Sequence, residues 1–230
     1  MSQFSRETAR QVALATTNNH DDEAGLVEAF TEVCHFLHDH PESLSWRSKK
    51  NRPDVYSTVG LERLADKYFK GYRRSDFPKE PTTISDEAVS IVMQIAYGYS
   101  QEQSEKIKIE HKHSMSAENC VGALLERYLD SILRAEDWHW CCGDFVKAVD
   151  FVKRDSSGQW LALQIKNRDN SENSSSSAVR SGTTIQKWFR SFSKKRGTNW
   201  GNLPPLMQGY GLSEQGFLAF IRVYLTDEKS

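Results

Sequence analysis

The sequence predicts an α/β protein in which a mixed β-sheet is flanked by helices and preceded by a mainly helical N-terminal part. Three observations lead there. Apolar residues recur at helical spacing in the first half, as in Leu26, Val27, Phe30, Val33 and Leu37. A wider apolar stripe, Val121, Leu124, Leu125, Tyr128, Leu129, Ile132 and Leu133, marks a long helix. Directly after it, two β-rich runs flank the turn Asp155-Ser-Ser-Gly158, the pattern of a hairpin. At 230 residues the chain is long enough for one large core. A helical region over 1–115 and a core over 116–230 are expected, with the alternative of one continuous domain left open.

Taken in order, helices are expected over 5–17 and 23–39, both rich in Ala, Glu and Leu. A basic connector from Arg47 to Pro53 precedes a helix from Thr58 to Tyr72. Pro78 and Pro81 interrupt the chain, and Ser85, followed by Asp-Glu-Ala, is placed to cap a helix reaching Tyr97. The polar segment 99–115 reads as a loop, with His111 and His113 in a solvated turn, and Ser116 as the cap of the long helix. Residues 145–153 alternate and read as a strand, answered by Trp160 to Ile165. After the Ser/Asn-rich stretch Asn167–Ser177, Thr183 and Thr184 are placed to open a helix through Ser193. That helix would put Trp188, Phe189 and Phe192 in the core. Ser213 caps the last helix, with Phe217, Phe220, Ile221, Tyr224 and Leu225 at helical spacing.

The composition excludes some classes. Eleven Phe, eight Tyr and six Trp are too many for a disordered chain, and no apolar run approaches the ~20 residues of a membrane span. The N-terminus lacks a basic-then-apolar leader, so a cytoplasmic protein is expected. Four cysteines without a CxxC read as free thiols. Cys34, His35, His38 and His40 lack a distant second pair of ligands, so zinc is not expected there.

Thirty cations against thirty-one acids leave a net charge of −1, but the charge is unevenly spread. Residues 47–80 carry ten cations and five acids, and residues 147–200 carry eleven and four. From Ser174 to Trp200 there are six cations and no acid. Clustering of this kind produces a field that a phosphate backbone feels even when the whole chain is neutral. A solvated surface whose patches cancel in three dimensions is the plainer alternative.

The chemistry-bearing residues follow from the hairpin. Asp150 and the segment Gln164-Ile165-Lys166 fall at the same end of it, and residues 164 and 166 share a face because side chains alternate along a strand. A carboxylate, an amide oxygen and an ammonium group thus converge, with Glu126 entering from the packed helix. Such oxygen donors suit Mg²⁺, and a neighbouring lysine can hold a water and offset charge developing on phosphoryl oxygens. Asp144 is the rival to Asp150, but it precedes the strand and sits farther from Lys166. Each residue also has an ordinary reading: Asp150 ending a strand or pairing with Lys147, Glu126 as a surface charge, Lys166 as a solvated strand end.

Asp150, thirteen residues, then Gln164-Ile-Lys166 resembles the PD-(D/E)xK nuclease motif, with Val149 in place of the proline and Gln164 in place of the usual acid. More specifically, QIKNRDNSENSSSSAVRSGTTIQKWFRSF, from Gln164 to Phe192, resembles the SinI-type class of type II restriction endonucleases. NCVGALLERYL and GDFVKAVDFVK upstream are similar to the same class. The resemblance implies a restriction-endonuclease-like core and Mg²⁺-dependent cleavage of both strands of GGWCC after the first G, W being A or T. It implies that Asp150 binds metal, that Gln164 supplies a further oxygen and that Lys166 orients the water. Glu126 is the candidate second acid that offsets the neutral Gln164.

Recognition of guanine points to arginine, which pairs with O6 and N7. Arg168, two residues past Lys166, and Arg180 are the candidates, within a reading loop over 167–180. Asn167, Asn170, Glu172 and Asn173 add short polar groups, followed by Thr183 and Thr184, while Lys187 and Arg190 are expected at phosphates. A palindrome cut on both strands implies a homodimer on double-stranded DNA, and a companion methyltransferase acting on the same site without direct contact. Two other functions remain open at this point: a structure-specific repair nuclease, and a DNA-binding protein that has lost catalysis through Gln164.

Overall fold

The structure, a computed structural model, describes residues 3–17, 24–46, 53–79, 82, 84–169 and 185–229. Helices α1 (Arg6–Thr17), α2 (Ala24–Asp39) and α3 (Thr58–Arg73) pack together at the N-terminal end. Their apolar faces meet around Ala13, Phe30, Leu64 and Phe69, all almost fully buried. The Ser57 hydroxyl starts α3 by accepting from the Gly60 N–H at 3.2 Å.

Helix α4 (Glu87–Tyr97) is capped by Asp86 rather than Ser85, its Oδ1 accepting from the Ala88 N–H at 2.9 Å. It ends at Gly98, whose φ of 73° favours a residue without a side chain. Helix α5 (Gln101–Leu133) then runs for 33 residues, so the segment 99–115 is not a loop and His111 and His113 lie on a helix. The polar half holds its helix without a core face of its own. Ser100 and Gln103 form a reciprocal capping box at 3.1 and 2.8 Å. Lys108 pairs with Glu105 at 2.8 Å, and neither Gly nor Pro interrupts the run before Gly122. Ser116 is therefore no cap; its hydroxyl donates to the Lys79 carbonyl at 2.8 Å.

The sheet contains β1 (His139–Trp140), β2 (Phe151–Arg154), β3 (Trp160–Arg168) and β4 (Gln186–Ser191), in that spatial order. The first three pair antiparallel, and β4 runs parallel to β3, which makes the sheet mixed. The β2–β3 hairpin forms where the turn chemistry places it. Phe151 faces Leu163, and Asp155 Oδ1 accepts from the Ser157 and Gln159 N–H groups. Strand β2 begins only at Phe151, later than the alternation of 145–153 suggests. The reason is Ala148, held at a positive φ of 61°, a conformation that ends regular pairing.

The segment through Ser193 also differs from expectation: Gln186–Ser191 is a strand, not a helix, and Thr183 and Thr184 lie outside the described residues. Over so short an apolar run the helical and strand templates both fit, and pairing with β3 decides. Trp188 is buried all the same, with its indole donating to the Asn199 carbonyl at 3.2 Å, while Phe189 and Phe192 are half-buried. Helix α6 (Glu214–Asp227), capped by Ser213, packs on α5 through Phe217 and Tyr128. No helix among the described residues is long and apolar enough to cross a membrane.

Candidate active site

The site lies where α5 crosses the sheet at the start of β2 and the end of β3. After the turn at Ala148, the Asp150 N–H donates to the Leu163 carbonyl at 2.8 Å. Its side chain folds back so that Oδ2 accepts from the Ile165 N–H at 2.6 Å. The carboxyl is thus fixed against the strand that carries Gln164 and Lys166. Burial pushes the Asp150 carboxyl above the usual aspartate range, against the opposing effects of the Ile165 hydrogen bond and the Lys166 charge.

Glu126 approaches from α5. Its Oε2 accepts from the Trp140 indole at 3.0 Å, which ties the helix to β1. Burial, and then the neighbouring Asp150 charge, push Glu126 up to about 8, with Trp140, Lys166 and Arg74 acting in the other direction. Two buried carboxyl groups, one of them raised further by the charge of the other, thus stand beside Lys166. Gln164 is 1% exposed, and its Oε1 has no hydrogen-bond partner among the described residues. An acceptor left this way costs about 1–3 kcal/mol. On β3 it shares a face with Lys166. A divalent cation bound by oxygen would relieve both defects, so this donor set fits Mg²⁺.

A cleft of about 420 Å³ opens beside Glu126 and Lys166 and is lined also by Asn167 and Arg168. Residues that the sequence reading did not single out complete it: Arg74, Glu118 and Asn119. Glu118 lies two helical turns before Glu126 and pairs with Arg168 at 3.4 Å; both acids fall on the helix expected after Ser116, and their spacing is the signal that could have found Glu118. Arg74 follows α3 and belongs to the first basic block, but nothing local announces that the fold carries it to the cleft. Its Nε donates to Asp76 at 2.9 Å.

The remaining candidates are distributed as follows. Asp144 is well exposed and pairs with Lys67 at 2.7 Å, away from the hairpin end. Arg190 is mostly buried. It donates to Asn167 Oδ1 at 3.0 Å and to Glu214 at 2.6 Å, bracing β3 against α6. Lys187 is half-buried on β4. Asn170, Glu172, Asn173, Arg180, Thr183 and Thr184 lie outside the described residues. His35 and His40 of the cysteine–histidine cluster are used in packing, His35 against Trp160 and Arg154, His40 stacked on Phe36.

A mixed four-stranded sheet with α5 laid across it, and carboxylates gathered where its hairpin meets that helix, defines a restriction-endonuclease-like α/β protein. Residues 9–227 match the family of the SinI restriction endonuclease, and the chain belongs to that family. It is 46% identical over 202 residues to the type II restriction enzyme Eco47I of Escherichia coli, covering 87% of each chain. It is 44% identical over 224 residues to the type II restriction enzyme SinI of Salmonella infantis, covering 96% of each.

Proposed function

We propose that this restriction endonuclease is a type II enzyme that hydrolyses both strands of GGWCC after the first G, with Mg²⁺ as cofactor. The observation that carries the reading is a cleft lined by Glu126 and Lys166, with Asp150 buried beside Glu126 and hydrogen-bonded to the strand that carries Gln164 and Lys166, on a fold of this family. Asp150, Gln164 Oε1 and Glu126 would hold the ion, which when bound supplies positive charge to the phosphoryl oxygens. Lys166 donates to the attacking water, orients it toward phosphorus and offsets charge developing on the phosphate. Water adds to phosphorus as a strand-linking P–O bond breaks, and the departing oxygen takes up a proton.

Arg168 stands at the cleft edge and reads guanine, together with Asn167 and with Asn170, Glu172, Asn173, Arg180, Thr183 and Thr184 of the following segment. Lys187 serves phosphates, and Arg190 joins it where its brace opens. The density of short polar groups directly after Lys166 supports this assignment. The enzyme acts as a homodimer, one subunit per half-site, in the cytoplasm. A companion methyltransferase protects the same sequence in the host DNA.

The test is digestion of plasmid DNA with Mg²⁺, followed by mapping of the fragment ends. Discrete fragments ending at GGWCC support the reading. Cutting confined to junctions, mismatches or flaps would replace it with a repair nuclease, and retarded but intact DNA with a binding protein.

A further inference from the structure

Helix α4 is amphipathic in the wrong direction for a helix that serves only its own core. The side turned to α5 is polar: the Ser90 hydroxyl donates to Glu105 at 3.0 Å and accepts from Lys108 at 2.6 Å, and Gln94 donates to Gln101 at 2.5 Å. The outward side carries Ala88, Ile91, Val92 and Ile95, at i, i+3, i+4 and i+7. Ile91 is 51%, Val92 56% and Ile95 81% exposed, with Ile84 and Val89 beside them. Only Ser90 of the whole helix is buried.

The five large residues expose on the order of 600 Å², at the top of the range for the largest apolar patch of a monomer, where such patches are often functional. With a polar rim, that approaches the ~800 Å² each partner contributes to a standard interface. No charged residue occurs between Glu87 and Glu102. A two-fold contact places a patch against its own copy, so a charged patch would repel itself and an uncharged one does not.

We propose that a second copy of this chain covers α4, the two helices packing antiparallel about a two-fold axis that passes near Val92. The inference rests on the homodimer reading above and adds the surface that forms it. From Glu105, which meets α4, to Glu126 is about 30 Å along α5. Pairing there leaves the cleft open and joins each active site to the axis through one continuous helix.

The experiment measures solution mass by light scattering for the wild-type chain and for Ile91→Glu/Ile95→Glu, and oxidises Val92→Cys, with GGWCC cleavage scored in parallel. The expected results are twice 26.3 kDa for wild type and 26.3 kDa for the double variant, with an unchanged circular dichroism spectrum. Val92→Cys should form a covalent dimer that reductant dissolves. Cys34, Cys120, Cys141 and Cys142 are buried and give little background.

A double variant that stays dimeric without a Val92→Cys cross-link would overturn the inference while leaving the restriction reading intact. A wild-type chain that is monomeric yet cuts GGWCC would overturn it together with the homodimer. A dimer through α4 that cuts no GGWCC would keep the interface and overturn the restriction reading. Should the double variant misfold, the wild-type mass and the cross-link decide the matter.

Discussion

The indole of Trp140 donates to the Glu126 carboxylate at 3.0 Å, so a strand and a helix fix one acidic group between them. That group also faces Asp150, and burial together with the Asp150 charge raises it from 4.5 to about 8. Without a cation the folded state therefore holds this proton more tightly than the unfolded chain. Its stability falls as pH rises from about 4.5 through 8.

Glu126→Gln has no such proton to lose. In a chelator at pH 9 it should be more stable than wild type, by about 1–3 kcal/mol, the scale of an uncompensated buried polar group. At pH 4 the two should match. Urea titrations at both pH values measure this, and equal responses of the two proteins to pH would refute the carboxylate pair. Cleavage by Glu126→Gln should be strongly reduced with Mg²⁺; full activity would remove Glu126 from the ligand set.

Asp150→Ala and Lys166→Ala should each lower cleavage by about 10²–10⁴-fold, the range for losing a positioned group of this kind. Binding to GGWCC should persist in both, because neither side chain lies among the groups proposed to read bases. Plasmid cleavage and gel retardation with the same protein preparations separate the effects. Normal rates in both variants would reject the site.

Arg168→Ala should cost about 1–3 kcal/mol of discrimination between GGWCC and single-base variants if its guanidinium reads guanine. Loss that is uniform across sequences would reassign it to phosphate. Glu118→Ala removes its 3.4 Å partner and should raise affinity for DNA while discrimination is retained. Both residues are nearly half exposed, so this change should be small and should fade at high salt.

How far the sequence could be read follows from how local each signal is. The β2–β3 hairpin was legible because Asp155 and Gly158 act within four residues, and it carries Asp150 to the Gln164–Lys166 end. The first half of α5 was not, because a capping box, side-chain pairs and the neighbouring α4 stabilise a polar run that has no apolar period. Strand β4 was not legible because its form depends on a partner 23 residues earlier, as in Lys166 beside Phe189. In the cleft, Glu126 was visible as a carboxylate flanking a stripe. Arg74 and Trp140 were not, because only tertiary packing brings α3 and β1 to α5.

The arginine next to Glu126 gives the last test. Arg127 pairs with Asp76, its Nη2 donates to the Arg74 carbonyl at 2.5 Å, and its guanidinium lies 5.4 Å from the Trp140 ring. Asp76 also accepts from Arg74, and its N–H donates to the Tyr224 hydroxyl at 3.1 Å. This node fixes the end of α3, and with it Arg74, beside the cleft. Both members of the pair are largely buried, so removing one leaves a desolvated charge without its counterion. Asp76→Ala should therefore lower stability by about 3–5 kcal/mol. Replacing the pair together with apolar residues of similar size, Asp76→Leu with Arg127→Met, should recover much of that loss, because neither charge then remains unpaired. Urea titration of the single and double variants measures the coupling. If the double variant is as unstable as the sum of the two single variants, the pair carries no mutual interaction and the positioning of Arg74 must come from elsewhere.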